Sequence, residues 1–248
     1  MADTEVRAQG RSTREVLSRS RALVDPALRA AVGGLPESTR RVAGYQFGWW
    51  DEHGRGARPR DDESARPALV LLAAEAIGGV PADAVPAAVA IELAHTALRL
   101  HGEVIAGDPP EGACGAFGAG RVILTGGAVL TLAFDVLATG ARAAVATGTR
   151  MLSAAVQETG ELDARRADAL LGCACALGAV FGGGRPAQIA RLRGFGERLT
   201  RAGAESAADH LAGALRHLAE AEPVPRAAAE LGALAVVLAA AGSGPGDS

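Results

Sequence analysis

Glu92 and His95 stand three residues apart in an otherwise apolar run, so on a helix they share one face. A carboxylate and an imidazole at that spacing form half of a di-iron helix-bundle site, which needs a second such pair and two further glutamates. No second Glu-x-x-His occurs in the sequence, and that chemistry is set aside. Glu103 and Asp108 follow near the end of the same run, where they read as solvated charges, as metal ligands or as proton donors. Arg66 opens an earlier helical run and reads equally as an ion-pair partner or an anion ligand. Asp61-Asp62-Glu63 lies among Arg58, Arg60 and Arg66 and reads as a charge-mixed solvated loop. Gly182-Gly183-Gly184-Arg185-Pro186 precedes a helix but lacks the lysine and hydroxyl of a phosphate loop, so it reads as an inter-helix turn. Serine-centred triads, paired-cysteine zinc motifs and dinucleotide fingerprints are not found. Every basic side chain other than histidine is arginine, which excludes a lysine Schiff base or a lysine–phosphate contact.

The elements that carry these residues read as helices throughout. Ser12 ahead of Glu15 is a capping-box start. Leu17, Leu23 and Leu28 carry an apolar stripe that Pro26 is expected to break, giving a helical hairpin that ends at Gly33-Gly34. Pro36 opens the next helix, which runs into Phe47-Gly48-Trp49-Trp50, read as a packing anchor. A polar loop, 51–64, precedes a helix over about 66–77. Asp83 and Pro86 start a long helix to about Ile105, stopped by Gly107-Asp108-Pro109-Pro110. Further helices are expected over 117–137, 141–158, 163–181, 186–201, 205–220 and 226–240. Strand alternation and internal repeats of 20–50 residues are not found. The reading is one all-α domain over 11–241, with a disordered N-terminus (1–10) and a disordered tail (242–248).

Composition narrows the class. At 248 residues the chain can bury one large core. A net charge of −3 gives no bulk attraction to nucleic acid or anionic membrane. Aromatic residues make up 3%, which suits alanine-rich helix packing better than a β-sandwich. Cys114, Cys173 and Cys175 are too few for a disulfide framework and suit reduced thiols. The N-terminus lacks an apolar signal core, and the apolar runs read as too short or interrupted for a membrane span, so a cytoplasmic location is expected.

The segments Ala65-Arg66-Pro67-Ala68-Leu69, Glu75-Ala76-Ile77-Gly78-Gly79, Ile91-Glu92-Leu93-Ala94-His95-Thr96, Phe117-Gly118-x-Gly120-Arg121-Val122-Ile123-Leu124, Leu170-Leu171-Gly172 and Phe195-Gly196 follow one another in the order of the trans-polyprenyl diphosphate synthases. The sequence resembles that family over about residues 25–202 and again over 203–241. The resemblance implies an isoprenoid-synthase-like helical bundle. It also implies a chemistry in which two acidic clusters hold Mg2+ on the diphosphate leaving group of an allylic substrate. Carried over position by position, the first acidic cluster falls on Gly102, Glu103 and Ala106. The basic residues after it fall near Glu111 and Gly112. The diphosphate lysine falls on Glu63, the "G-D" aspartate on Gly127, and the "K-T" pair on Arg166-Ala167. Gln157 is retained, whereas the aspartate that follows it in the family is Gly160 here. After Thr200-Arg201-Ala202 the helix of the second acidic cluster is expected to be missing or shortened. Arg66, His95 and Gln157 would be a diphosphate-binding remnant, and Ala97 and Leu98 would line the cavity that gates chain length.

These departures set the functional expectations. The first is a non-catalytic relative that pairs with an active prenyl synthase or with itself, through helices near 117–137. The second is a prenyltransferase or terpene cyclase assisted by acid, with Glu103, Asp108 or His95 as donor. The third is an isoprenoid-binding module. A prenyl diphosphate is the expected ligand. No cofactor is expected, and Mg2+ only if the protein is active.

Overall fold

The computed structural model describes residues 10–57, 64–107, 112–159, 170–199 and 207–241. Apart from Gly10, the expected disordered termini lie outside these residues, as do Glu63, Asp108, Glu111, Gly160, Arg166-Ala167 and Thr200-Arg201-Ala202. Among the described residues the fold is all-α: α1 (Thr13–Gly33), α2 (Glu37–Gln46), α3 (Ala65–Ala76), α4 (Val85–Ile105), α5 (Ala113–Phe117), α6 (Ala119–Ala138), α7 (Arg142–Thr159), α8 (Leu170–Phe181), α9 (Pro186–Leu199), α10 (Ala207–Glu220) and α11 (Pro225–Ala241). A 3-10 turn, Pro81–Ala84, leads into α4.

The expected hairpin at Pro26 is instead one continuous helix. Ser12 and Glu15 form the capping box that starts it, and the buried stripe Val16, Ser20, Val24, Leu28 and Val32 runs unbroken past the proline. Pro26 and Ala22, the residue whose carbonyl loses its donor, both face solvent. Water can satisfy that carbonyl, so the proline does not end the helix.

α8 and the middle of α3, Pro67–Ala74, are apolar on every side and form the centre of the bundle, with α4 beside them. Around this core, α9 and α10 pack in succession outward from α8, and α11 and α1 cover α3. α3 and α8 approach closely because Gly178 faces α3. A Cβ there would stand 2.1 Å from the Val70 carbonyl oxygen and 2.8 Å from Ala73 Cβ. Ala is the better helix former by about 1 kcal/mol, but the clash is with backbone, which cannot swing aside. Gly178→Ala is therefore expected to destabilise by about 2–3 kcal/mol net, lowering Tm by roughly 4–12 °C for a domain of this size. A thermal melt unchanged within about 1 °C would refute this.

Cys173 and Cys175 sit in this core, and burial pushes both thiols up, Cys173 to about 12. They are uncharged at neutral pH and unreactive. α6 is by length and composition apolar enough to cross a membrane. In the bundle its stripe of Val122, Thr125, Val129, Ala133 and Leu137 is buried, with α4 as its main neighbour.

Candidate functional site

The first turn of α3 meets the middle of α4. Pro67 is tolerated there because a helix's first N–H groups have no intrahelical acceptor. Arg66 in the same turn places a cation at the positive end of the helix dipole, which is unfavourable without a counter-charge. Glu92 supplies it. Its Oε1 accepts from Arg66 Nε at 3.1 Å and from the Ser64 hydroxyl. Arg66 Nη2 lies 2.9 Å from His95 Nδ1. Glu92 and His95, one turn apart on α4, thus hold the guanidinium from one side. Glu92 is nearly buried, and as a charge it is stable there only while paired.

His95 is neutral. Burial, then the charges of Arg66 and Arg99, push its imidazole down to about 2. An imidazole that accepts from Arg66 at Nδ1 carries its proton on Nε2, so the hydrogen-bond pattern assigns the tautomer. The ring is therefore a fixed neutral donor over the physiological range and has no proton to give as a general acid.

These residues line a cleft of about 290 Å3 between α1, the C-terminal end of α2, the start of α3 and the middle of α4. Four arginines line it, Arg21, Arg29, Arg66 and Arg99, against two acidic residues, Asp25 and Glu92. The balance is cationic and suits an anion, with arginine the better fit to phosphate oxygens. The α2 end is held rigid by aromatic packing. Phe47 and Trp49 stack with centroids 4.8 Å apart, and the Arg29 guanidinium lies 4.4 Å from the Trp49 ring centre. Trp50 donates its indole N–H to the Arg41 carbonyl at 2.8 Å and lies flat on Gly44. Any Cβ at position 44 would fall within 2.0–2.6 Å of that ring, so only glycine admits the tryptophan. The Trp49–Trp50 pair is thus a packing anchor, as expected.

The structure brings Arg66 and His95 together and leaves the other anticipated residues elsewhere. Gln157 is exposed on α7, with its amide donating to Ser153 Oγ at 3.0 Å, away from the cleft lining. Ala97 is fully buried and Leu98 packs against the main core, so neither borders the cleft. Glu103 accepts the backbone N–H of Ala113 at 2.9 Å and so caps the short helix α5. Asp108 is outside the described residues. Among the described residues no three His, Cys, Asp or Glu side chains gather as a metal site would require. Sequence reasoning missed Arg99, the α1 arginines, Ser20 and Gln46. One signal was available: Arg21, Asp25 and Arg29 recur every four residues and mark one charged face of α1.

No protein-family model matches the chain. A geranylgeranyl diphosphate synthase of Mycobacterium tuberculosis is 31% identical over 210 residues, covering 74% of this chain and 60% of that protein. A (2E,6E)-farnesyl diphosphate synthase of the same organism is 35% identical over 154 residues, covering 60% of this chain and 42% of that protein. The chain thus spans roughly half the length of these curated relatives. A crystal structure of a polyprenyl synthetase from Streptomyces coelicolor A3(2) superposes with a TM-score of 0.71 at 32% identity, covering 82% of this chain and 67% of that one. The geranyl diphosphate synthase small subunit of Antirrhinum majus shares the fold, with a TM-score of 0.65 at 19% identity over 83% of this chain and 92% of its own. The all-α bundle is thus the isoprenoid-synthase fold, and the chain belongs to the polyprenyl synthetase family.

Proposed function

We propose that this protein is a non-catalytic member of the family. On this reading it retains a diphosphate-binding cleft at Arg66 and His95 and acts in isoprenoid metabolism through association with an active prenyl synthase or with a second copy. The observation that carries the reading is the use made of Glu103. At the positions of the first acidic cluster, Gly102 and Ala106 bring no ligand, and the one carboxylate is engaged as the cap of α5. Mg2+ is held by carboxylates together with substrate phosphates in near-octahedral geometry. A single carboxylate already accepting from a backbone N–H does not fit that role among the described residues.

Acid-assisted turnover by a prenyltransferase or cyclase is the competing reading. The neutrality of His95 counts against it as donor, and Glu103 is already engaged as the cap of α5. The isoprenoid-binding reading needs a hydrocarbon cavity, whereas Ala97 and Leu98 are packed into the core.

For partnering, α6 offers two adjacent exposed apolar side chains, Leu124 at 76% and Ile123 at 49%. The same fold occurs in a protein described as a small subunit and in a heterotetrameric geranyl pyrophosphate synthase from mint. The test is incubation with farnesyl and isopentenyl diphosphates, with Mg2+ and with chelator, beside calorimetry with inorganic diphosphate and light scattering. Binding without product, from a particle larger than one chain, is expected. Product in either condition would overturn the non-catalytic reading.

A further inference from the structure

Two polar atoms on the α1–α2 side of the cleft have no partner among the described residues. The Ser20 hydroxyl on α1 and the Gln46 Nε2 at the end of α2 are both buried without a hydrogen bond. Ser20 is 4% and Gln46 7% exposed, and both residues line the same cleft as Arg66 and His95. Buried polar groups in folded proteins are almost always paired, so two unpaired ones bordering a single cleft call for an explanation. Ordinary packing does not supply one, because an apolar residue at either position would remove the penalty of burying an unpaired group. Asp25 borders the same cleft. A carboxylate beside an anion site repels phosphate but accepts readily from a hydroxyl.

We propose that the cleft takes a small phosphorylated polyol. On this assignment the phosphate lies with Arg66, His95 and the rim arginines, and hydroxyls of the body pair with Gln46, Ser20 and Asp25. A hydroxyl both donates and accepts, so it satisfies the Ser20 hydroxyl, the Gln46 amide in either orientation and the Asp25 carboxylate. A hydrocarbon tail in the same place would leave all three groups buried against carbon. Sites built to pair a ligand hydroxyl reject the analogue lacking it far more strongly than apolar pockets distinguish one methylene. The volume, about 290 Å3, is at the small end of ligand cavities and suits a four- or five-carbon body. This assignment rests on the phosphate-binding reading of Arg66 and His95 given above.

Calorimetry in chelator with three probes tests it: inorganic diphosphate, erythritol 4-phosphate and butyl phosphate. The last two share one phosphate and four carbons and differ in their hydroxyls. Erythritol 4-phosphate is expected to bind at least about tenfold tighter than butyl phosphate. In Ser20→Ala/Gln46→Leu that preference should vanish, with the affinity for inorganic diphosphate unchanged. The variant should melt at or above the wild-type temperature, since each removed group is unpaired. Equal or tighter binding of butyl phosphate, or a preference that survives in the variant, overturns the assignment while leaving the diphosphate site standing. Failure of all three probes to bind overturns both. Erythritol 4-phosphate bound while inorganic diphosphate is refused would sink the diphosphate reading and keep the polyol one.

Discussion

Replacing Arg11 with alanine is expected to lower stability by about 3–4 kcal/mol at pH 7, which would move Tm by roughly 6–16 °C. Arg11 stands just before α1 and ties the start of the chain to α3 and α11. Its backbone N–H and Nε both donate to Glu230 Oε1 at 2.9 Å, and Nη2 reaches Glu230 and also Glu75 at 2.7 Å. The Glu230 side chain is fully buried, and Arg11 is 16% exposed. The pair is thus shielded from the screening that makes surface ion pairs weak. Removing the arginine side chain leaves the buried carboxylate, among the described residues, with the backbone N–H of residue 11 and with Arg226, at 3.2 Å and half exposed, so the loss stays toward the lower end of the range for a broken buried pair.

The same pair makes a pH prediction. Burial pushes the Glu230 carboxyl up, but the hydrogen bonds and charge of Arg11, with help from Arg226, outweigh it and hold the group below its ordinary 4.5. A carboxyl depressed in the folded state contributes stability above its unfolded value, and that contribution is lost as pH falls through the folded value. Without the Arg11 side chain the carboxyl loses the charge and side-chain hydrogen bonds that held it down, so the folded value rises and the alanine variant regains ground in acid. Urea melts should show the gap between wild type and Arg11→Ala widest at pH 7 and narrowing below pH 4.5. A gap under about 1 kcal/mol at pH 7, or one of equal size at pH 7 and pH 3.5, would show that the pair is not coupled to folding.

Sequence made the helices legible because their start and stop signals are local. Ser12 with Glu15, and Gly78-Gly79 after α3, act through residues three or four apart. Pro26 misled for a related reason. A proline's effect depends on whether water can reach the carbonyl it orphans, and that is decided by which face the bundle leaves open. The Arg66–His95 half of the cleft was legible because family order and helical spacing both pointed to it. The other half was not. Ser20 looks like any polar residue on a helix until its tertiary surroundings leave it unpaired, and Gln46 is indistinguishable from a helix-end glutamine. Glu103 was named as a candidate ligand, but its role as cap of α5 depends on where the chain turns after α4. The protonation state of His95 follows from burial and from the charges of Arg66 and Arg99, none of which can be read from the Glu-x-x-His spacing.

Arg66→Met should weaken binding of inorganic diphosphate by at least about 100-fold, since each charge-assisted hydrogen bond contributes about 1.5–3 kcal/mol and each 1.4 kcal/mol is a factor of ten. It should also destabilise the fold by about 2–4 kcal/mol, because Glu92, 8% exposed, is left with Ser64 as its remaining partner. Read alone, lost binding would not separate a binding arginine from one that only holds the cleft together. The double variant Arg66→Met/Glu92→Gln separates them. Glutamine has the shape of glutamate without its charge, so removing both partners of a buried pair should restore stability to within about 1 kcal/mol of wild type. If Arg66 contacts the anion, diphosphate binding stays lost in the refolded double variant, because no change at Glu92 returns the guanidinium. If its role is only to neutralise Glu92 and hold α3 against α4, binding recovers along with stability. A stable double variant that binds diphosphate as the wild type does would move the anion site to the rim arginines and leave Arg66 as a brace between α3 and α4.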